Sequence, residues 1–553
     1  MATVSRRSLF KRSAAIGGAS LLLGGGAQLL AEKSAQAVTT APSAPPPPPF
    51  SATAVLPSNP RYTQLVTAFN NRWVGSPQSV QLVGTTSDVQ NAVQSAVSAG
   101  RQFAVRGGGH CYANFVYNPA VQTVIDMSMM NGVYFDAGKN AFAIQGGANL
   151  GDIYETLYRG YGVTLPGGHC PSTGIGGHAT GGGHGMLSRK FGLITDHIQS
   201  VEMVTVNAQG NASVVTATRN GANSDLWWAV SGGGGGNFGV ITKYWFQSPP
   251  SSSATANNPS QQLPAPPTNV LLTSFTIPWS SLTQAQFTAL ITNLGNFLAA
   301  NSAPTSPYTA LSTQLTLPHV SSGNISLTTV VDATVPNATT LIQNYHSALT
   351  AGTGITPTIP FNNVLWLSAW ETINTAIPLI ETNALLRNAV KSAFLVQPWT
   401  AAQIAAMYAN LTTTSYSNPL FPALLQIGSM AGGQISAVPN SATAISYRNS
   451  VMLAFWNVYW PTASGDAANI AWVRNFYSQV FASTGGVPDP ANPAYQGCCI
   501  NLPDLDMADA TVNTSGVPWQ TLYYGSNYPR LQTVKKKWDP KNIFQHPMSI
   551  TAS

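Results

Sequence analysis

The stretch from Pro166 to Gly185 places nine glycines in twenty residues, far above the roughly 7% of ordinary usage. Ordering a backbone without side chains costs more conformational entropy than ordering any other, so something must approach this segment very closely. A second run, Arg106-Gly107-Gly108-Gly109-His110, directly follows the apolar Phe103-Ala104-Val105. Three successive backbone N–H groups without side-chain cover form a concave donor surface for phosphate oxygens, and Arg106 adds charge. Three glycines alone also make an ordinary turn, so this loop gains meaning only beside the longer one.

Two other chemistries fit parts of the long loop and fail on the rest. Gly174-x-Gly176 with Asp196 about twenty residues on resembles a dinucleotide fingerprint, but no clean strand-helix-strand unit surrounds it. His169, Cys170, His178 and His184 suggest zinc, yet their spacings match no common zinc pattern and no acidic ligand lies nearby. The sequence reading therefore assigns no metal.

The flanking patterns describe an α+β chain. A Ser87/Asp88 cap opens a helix with Val89, Ala92, Val93, Ala96 and Val97 on one face, followed by a strand over 103–105. Residues 123–127 and 141–145 read as strands around Gly138-Lys139-Asn140, a helix starts at Asn149, and Thr164-Leu165 reads as a strand before the long loop. Residues 198–206 and 212–216 alternate as a hairpin around Gln209-Gly210-Asn211. A first lobe is expected over 55–247 and a linker over 248–267. A second, substrate-binding lobe is expected over 268–490, with strands at 271–277 and 325–331 and a helix at 284–299. The segment 491–553 is expected to return to the first lobe.

With 553 residues the chain exceeds one ordinary core. Its net charge of +6 is concentrated at the start: Arg6, Arg7, Lys11, Arg12 and Lys33 against Glu32 supply +4 of it. The nearly neutral remainder has no basic stripe and gives no support for nucleic-acid binding. Ser5-Arg6-Arg7-Ser8-Leu9-Phe10-Lys11, an apolar stretch to Leu30 and Ala35-Gln36-Ala37 read as a twin-arginine export signal over 1–37. A proline-rich spacer over 38–54 follows it. The expected location is periplasmic or secreted, with no stable membrane span once the signal is removed. Export in the folded state suits a chain loaded with a cofactor beforehand. Four cysteines, Cys111, Cys170, Cys498 and Cys499, are too few for a disulfide framework, so at least one is expected to serve chemistry.

The combined motifs resemble the berberine bridge enzyme branch of the vanillyl-alcohol-oxidase (PCMH-type) flavoproteins. They are Arg106 to His110, Cys170-Pro171-Ser172-Thr173-Gly174-Ile175-Gly176-Gly177, and Gly232 to Gly236 with Asn237-Phe238-Gly239-Val240. The tail adds Tyr523-Tyr524-Gly525-Ser526-Asn527-Tyr528-Pro529-Arg530-Leu531 and Asp539-Pro540-Lys541-Asn542-Ile543-Phe544. The resemblance implies a PCMH-type FAD-binding domain, an α/β substrate domain with an antiparallel sheet, and a C-terminal segment returning to the first. It implies FAD joined covalently to His110 at the 8-methyl position and to Cys170 at the 6 position. Arg106, Gly107, Gly108, Gly109, Thr173, Gly174, Gly176, Gly177, Val240 and Asn527 would bind it.

By the same resemblance a general base takes an O–H proton while the adjacent C–H passes as hydride to the flavin, and O2 is then reduced to H2O2. Thr173 stands where oxidases of the family commonly carry valine in control of oxygen access. Bacterial relatives place the base tyrosine in Asn-Tyr-Pro-Asp; this chain reads Asn501-Leu502-Pro503-Asp504, and leucine accepts no proton. Tyr523 and Tyr524, with Tyr495, are the replacements expected from nearness in sequence. The partner is a small molecule, a sugar or an apolar aromatic product; its identity and the oligomeric state are not readable from the sequence. A dehydrogenase using an acceptor other than O2 and an exported flavin-binding protein altered at Leu502 remain alternatives.

Overall fold

Thr85 and Asp88 open the first long helix by exchanging hydrogen bonds. The Thr85 hydroxyl accepts from the Asp88 amide at 3.1 Å, and the Asp88 carboxylate accepts from the Thr85 amide at 3.0 Å. The helix then runs Thr86–Ser98 and buries Val89, Val93 and Ala96. The computed structural model describes residues 52–249, 256–356, 361–375 and 386–553. The export signal over 1–37 and nearly all of the 38–54 spacer lie outside them.

Three sheets organise the described chain. The first contains β1 (Thr53–Val55), β2 (Ser79–Leu82), β3 (Phe103–Arg106) and β4 (Thr123–Asp126) in the order β1-β2-β4-β3. β2, β4 and β3 run parallel, and β1 pairs antiparallel with β2. The expected spacer is thereby shortened: Val55 is fully buried and residues 53–55 extend the sheet.

The second sheet contains β5 (Val133–Asp136), β6 (Ala141–Gln145), β7 (Ile198–Val206), β8 (Ala212–Thr218) and β9 (Val240–Phe246), ordered β5-β6-β9-β7-β8 and antiparallel throughout. The turn at 137–140 joins β5 to β6, so the strand over 123–126 is not the partner of 141–145 as the sequence suggested. β4 is claimed instead by β2 and β3, which bury it on both sides.

The third sheet contains β10 (Asn269–Ile277), β11 (Leu311–Pro318), β12 (Ile325–Asp332), β13 (Asn362–Leu365), β14 (Arg387–Leu395), β15 (Ala423–Gly428) and β16 (Met452–Trp460). Their order is β13-β10-β12-β11-β15-β16-β14, again antiparallel. Helices Ala338–Thr350 and Asp466–Val480 pack on this sheet, and helices Gln284–Ala300 and Ala401–Leu411 pack on them. Tyr345 of the first of these bonds the Thr313 hydroxyl at 2.7 Å, which marks the odd-numbered positions of β11 as its helix-covered face. The architecture is α+β.

Two expectations change in detail. Thr164-Leu165 is buried but forms no strand; the Thr164 amide donates to Pro264 at 2.9 Å. The described part of the linker is correspondingly packed, with Gln262 and Leu263 buried. Past helices Trp519–Tyr524 and Tyr528–Trp538 the tail does return. Lys535, fully buried, donates to the carbonyls of Asn237 and Phe544 at 2.6 Å each and pairs with Asp539 at 2.7 Å. Among the described residues no helix is long and apolar enough to cross a membrane.

Candidate active site

The two glycine loops meet backbone to backbone. A Cβ on Gly108 would lie 2.3 Å from the Gly174 nitrogen, and one on Gly174 would lie 2.2 Å from the Gly108 nitrogen; only glycine permits that approach. The end of β3 delivers the first loop. The second is fastened to the segment after β6 by bonds from the Leu150 amide to Thr173 O (3.0 Å), Ile175 to Ala148 (2.9 Å) and Gly176 to Gly146 (3.1 Å).

This crossing brings His110 onto the second loop. Its Nε2 lies 2.6 Å from Ser172 Oγ, its Nδ1 3.5 Å from Thr173 Oγ1, and its ring stacks on Phe69 with centroids 4.4 Å apart. His110 and Cys170 line one cavity of about 840 Å³, together with Arg106, Gly107, Gly108, Gly109, Thr173, Gly174, Gly176, Gly177 and Val240. Arg106 is tied to the buried Asp126 at 2.7 Å, while its Nε is buried without a partner. A Cβ on Gly177 would meet nothing within 4 Å, and one on Gly107 only the Gly146 carbonyl at 3.7 Å. These two glycines leave open faces in the wall while Gly108 and Gly174 seal the loops together. A slot with glycine faces, one guanidinium and no carboxylate in its lining fits a flavin nucleotide.

Asp196 does not serve a nucleotide ribose. It is paired with Arg448 through two bonds of 2.6 and 2.9 Å, both side chains buried. Asn527, expected at the cofactor, lines a separate and smaller pocket and donates to the Ile445 carbonyl at 3.2 Å.

The tyrosines expected as the base are placed elsewhere as well. Tyr523 accepts from the Asp504 amide at 3.0 Å, Tyr524 donates to the Gly233 carbonyl at 3.1 Å, and Tyr495 accepts from the Gln403 amide at 2.9 Å. None of the three lines the cavity. Tyr523 and Tyr524 lie on a short helix whose buried face holds the tail in place, and desolvation pushes both phenols up. Nearness to Leu502 in sequence thus misdirected the assignment.

The cavity contains groups to which the sequence analysis gave no role in catalysis. Leu502 opens on it, with His169, His178 and His184 of the long loop. Burial drives these imidazoles down to about 4, 3 and 4 in turn, so each is neutral at ordinary pH. The His178 Nε2 accepts from the Gly168 amide at 3.0 Å, and the Asn501 side chain donates to the His178 carbonyl at 3.0 Å. His546, stacked on Phe115 at 3.9 Å, adds a buried Nε2 without a partner. Among the described residues no three His, Cys, Asp or Glu side chains are grouped to hold a metal ion.

The opposite wall is the third sheet. Ser312, Gln314 and Thr316 of β11, Ser326 and Thr328 of β12, Gln426 of β15 and Asn457 of β16 face the cavity. Asn457 Oδ1 is buried without a partner. A signal for this wall was present: the polar residues of β11 fall at every second position between Leu311, Leu315 and Leu317.

Comparison with known proteins agrees with this division. Residues 77–215 match a family described as an FAD binding domain, and residues 499–551 one described as berberine and berberine like. The chain is 41% identical over 498 residues to the aclacinomycin-N/aclacinomycin-A oxidase of Streptomyces galilaeus, covering 89% of this chain and 88% of that one. It is 30% identical to the hexose oxidase of Chondrus crispus, covering 89% and 93%. Among solved structures, CrmK, a flavoenzyme of caerulomycin biosynthesis, superposes with a TM-score of 0.87 at 39% identity, covering 91% of this chain and all of that one.

Proposed function

Because this chain belongs to the berberine bridge enzyme-like family of FAD-linked oxidoreductases, we propose that it oxidises a hydroxyl-bearing carbon of a neutral sugar or glycosylated metabolite. In this reading FAD is held by His110 and Cys170, and O2 takes the electrons. The observation that carries the reading is the crossing of the two loops, which brings the His110 imidazole and the Cys170 loop to one face of a single cavity.

Bound FAD supplies a two-electron acceptor for the hydrogen on the alcohol carbon. Ser172 fixes the His110 ring through Nε2 and Phe69 supports its plane, so the imidazole is oriented before attachment. Gly107 and Gly177 leave space for the nucleotide, and Arg106 supplies positive charge beside it. Across the cavity, amide and hydroxyl groups of the third sheet offer donors and acceptors without net charge. That suits a polyhydroxylated neutral substrate and gives an anion or a cation no partner. The relative named for a hexose supports the same class. The twin-arginine pattern supports export of the folded, loaded protein.

The test is whether colour stays with the chain. Wild-type protein and each single variant, His110→Ala or Cys170→Ala, should keep flavin on the denatured polypeptide, whereas the double variant should release it. Unmodified His110 and Cys170 peptides by mass spectrometry in flavin-loaded material would refute the attachment. Peroxide formed in air during sugar turnover checks O2 as acceptor; its absence with continued reduction of an artificial dye would assign a dehydrogenase.

A further inference from the structure

We propose that His184 is the general base of the cavity, taking the proton of the substrate hydroxyl; this assignment rests on the alcohol-oxidation reading above. When a carbinol carbon loses its hydrogen with the electron pair, the oxygen becomes that of a protonated carbonyl and its proton must pass to the wall. Leu502 offers no acceptor, Tyr495, Tyr523 and Tyr524 do not line the cavity although Tyr112 and Tyr459 do, and among the described residues the lining contains no carboxylate.

His184 meets the requirement by position. It lines the cavity, its Nδ1 is buried without a hydrogen-bond partner, and its ring stands edge-on to Phe394 with centroids 6.4 Å apart. Phe394 belongs to the apolar cluster that Leu502 joins beside Tyr447. The imidazole and the leucine both line the cavity and both border that cluster. The titratable groups near His184 are His169 and His178 of the same loop and, beyond Phe394, Tyr447; among the described residues no acid lines the cavity with them. His178 is occupied by the Gly168 amide, which leaves His169, His546, Tyr112 and Tyr459 as the rivals in the lining.

Enclosure, with a smaller contribution from His169, holds His184 down to about 4, so it is neutral and able to accept. Low basicity suffices, because the hydroxyl proton becomes strongly acidic as the hydride departs. The O–H bond breaks toward His184, the C–H hydrogen leaves with both electrons to bound FAD, and the C=O bond forms. The imidazolium then returns its proton to solvent.

Two measurements on the holoenzyme test this. Diethyl pyrocarbonate labelling with peptide mass spectrometry should modify His184 at nearly equal rates at about pH 5 and about pH 7. A free imidazole of ordinary pKa should slow roughly twentyfold over the same change. Anaerobic flavin bleaching by D-glucose, D-galactose, maltose and cellobiose should be slowed about 100-fold or more by His184→Ala, with flavin content unchanged. Added imidazoles should restore part of that rate in the order of their pKa. No labelling of His184 at either pH, a variant rate within about threefold of wild type, or rescue of His169→Ala in place of His184→Ala would each overturn the assignment. A wild-type flavin that no sugar bleaches would count against the sugar reading alone, since labelling still decides whether His184 is reachable and neutral.

Discussion

The two walls of the cavity are made of different material. On the flavin side the chain presents backbone: Gly108 and Gly174 touch, and Gly107 and Gly177 leave bare faces. On the sheet side it presents side chains, with Gln314, Thr316, Gln426 and Asn457 among those projecting from neighbouring strands. A backbone wall tolerates almost no substitution where it is closed, because any added carbon meets a main-chain atom. A side-chain wall exchanges one polar group for another without disturbing the ladder beneath. The two walls are thus surfaces of unequal tolerance to substitution.

The largest effect that would sharpen this contrast is expected at Gly174. Gly174→Val should push the loops apart, abolish flavin retention and lower the melting temperature of the chain. Gly177→Ala, entering open space, should leave the melting temperature near wild type and lower only the flavin-to-protein ratio. Equal losses of stability in the two variants would break the distinction between sealing and open glycines.

Next in size is Lys535→Met, which strands Asp539 in the interior and frees the carbonyls of Asn237 and Phe544. A loss of about 3–5 kcal/mol in denaturant unfolding is expected. The flavin wall should loosen with it, because Asn237 lines the cavity. The sheet wall predicts a milder result. Asn457→Leu should raise KM several-fold, about 1 kcal/mol, with flavin content and melting temperature unchanged; a loss of flavin instead would place Asn457 on the wrong side of the comparison.

The last contrast is a pH dependence. His169, His178, His184 and His546 are held neutral in the fold, near 4, 3, 4 and 3, by burial. The unfolded chain protonates its histidines near 6.5, so it binds more protons than the fold between that pH and about 4. Stability contributed by these groups is complete above 6.5 and declines as the pH falls toward 4. The denaturant midpoint should follow that course, and a midpoint that rises on acidification would contradict it.

What could be read from the residues follows the same division. The glycine loops, His110, Cys170 and the C-terminal signature are local patterns, and the loops, His110 and Cys170 meet at one cavity. Strands with regular alternation, such as 141–145 and 198–206, were also legible, because apolar periodicity is a property of neighbours in sequence. The misassigned partner of 141–145, the strand over 53–55 and the packed 256–267 segment were not, since each depends on a contact made far along the chain.

The sequence by itself determined the family and its FAD, because close backbone approach demands glycine at particular places along the chain. Only the tertiary structure decided which groups face the cavity. It turned Tyr523, Tyr524 and Asn527 away, brought His184 and Leu502 to one cavity, and aligned alternate residues of distant strands into one polar wall. The reason is that side-chain direction over such distances is set by strand register and helix packing, neither of which neighbouring residues encode.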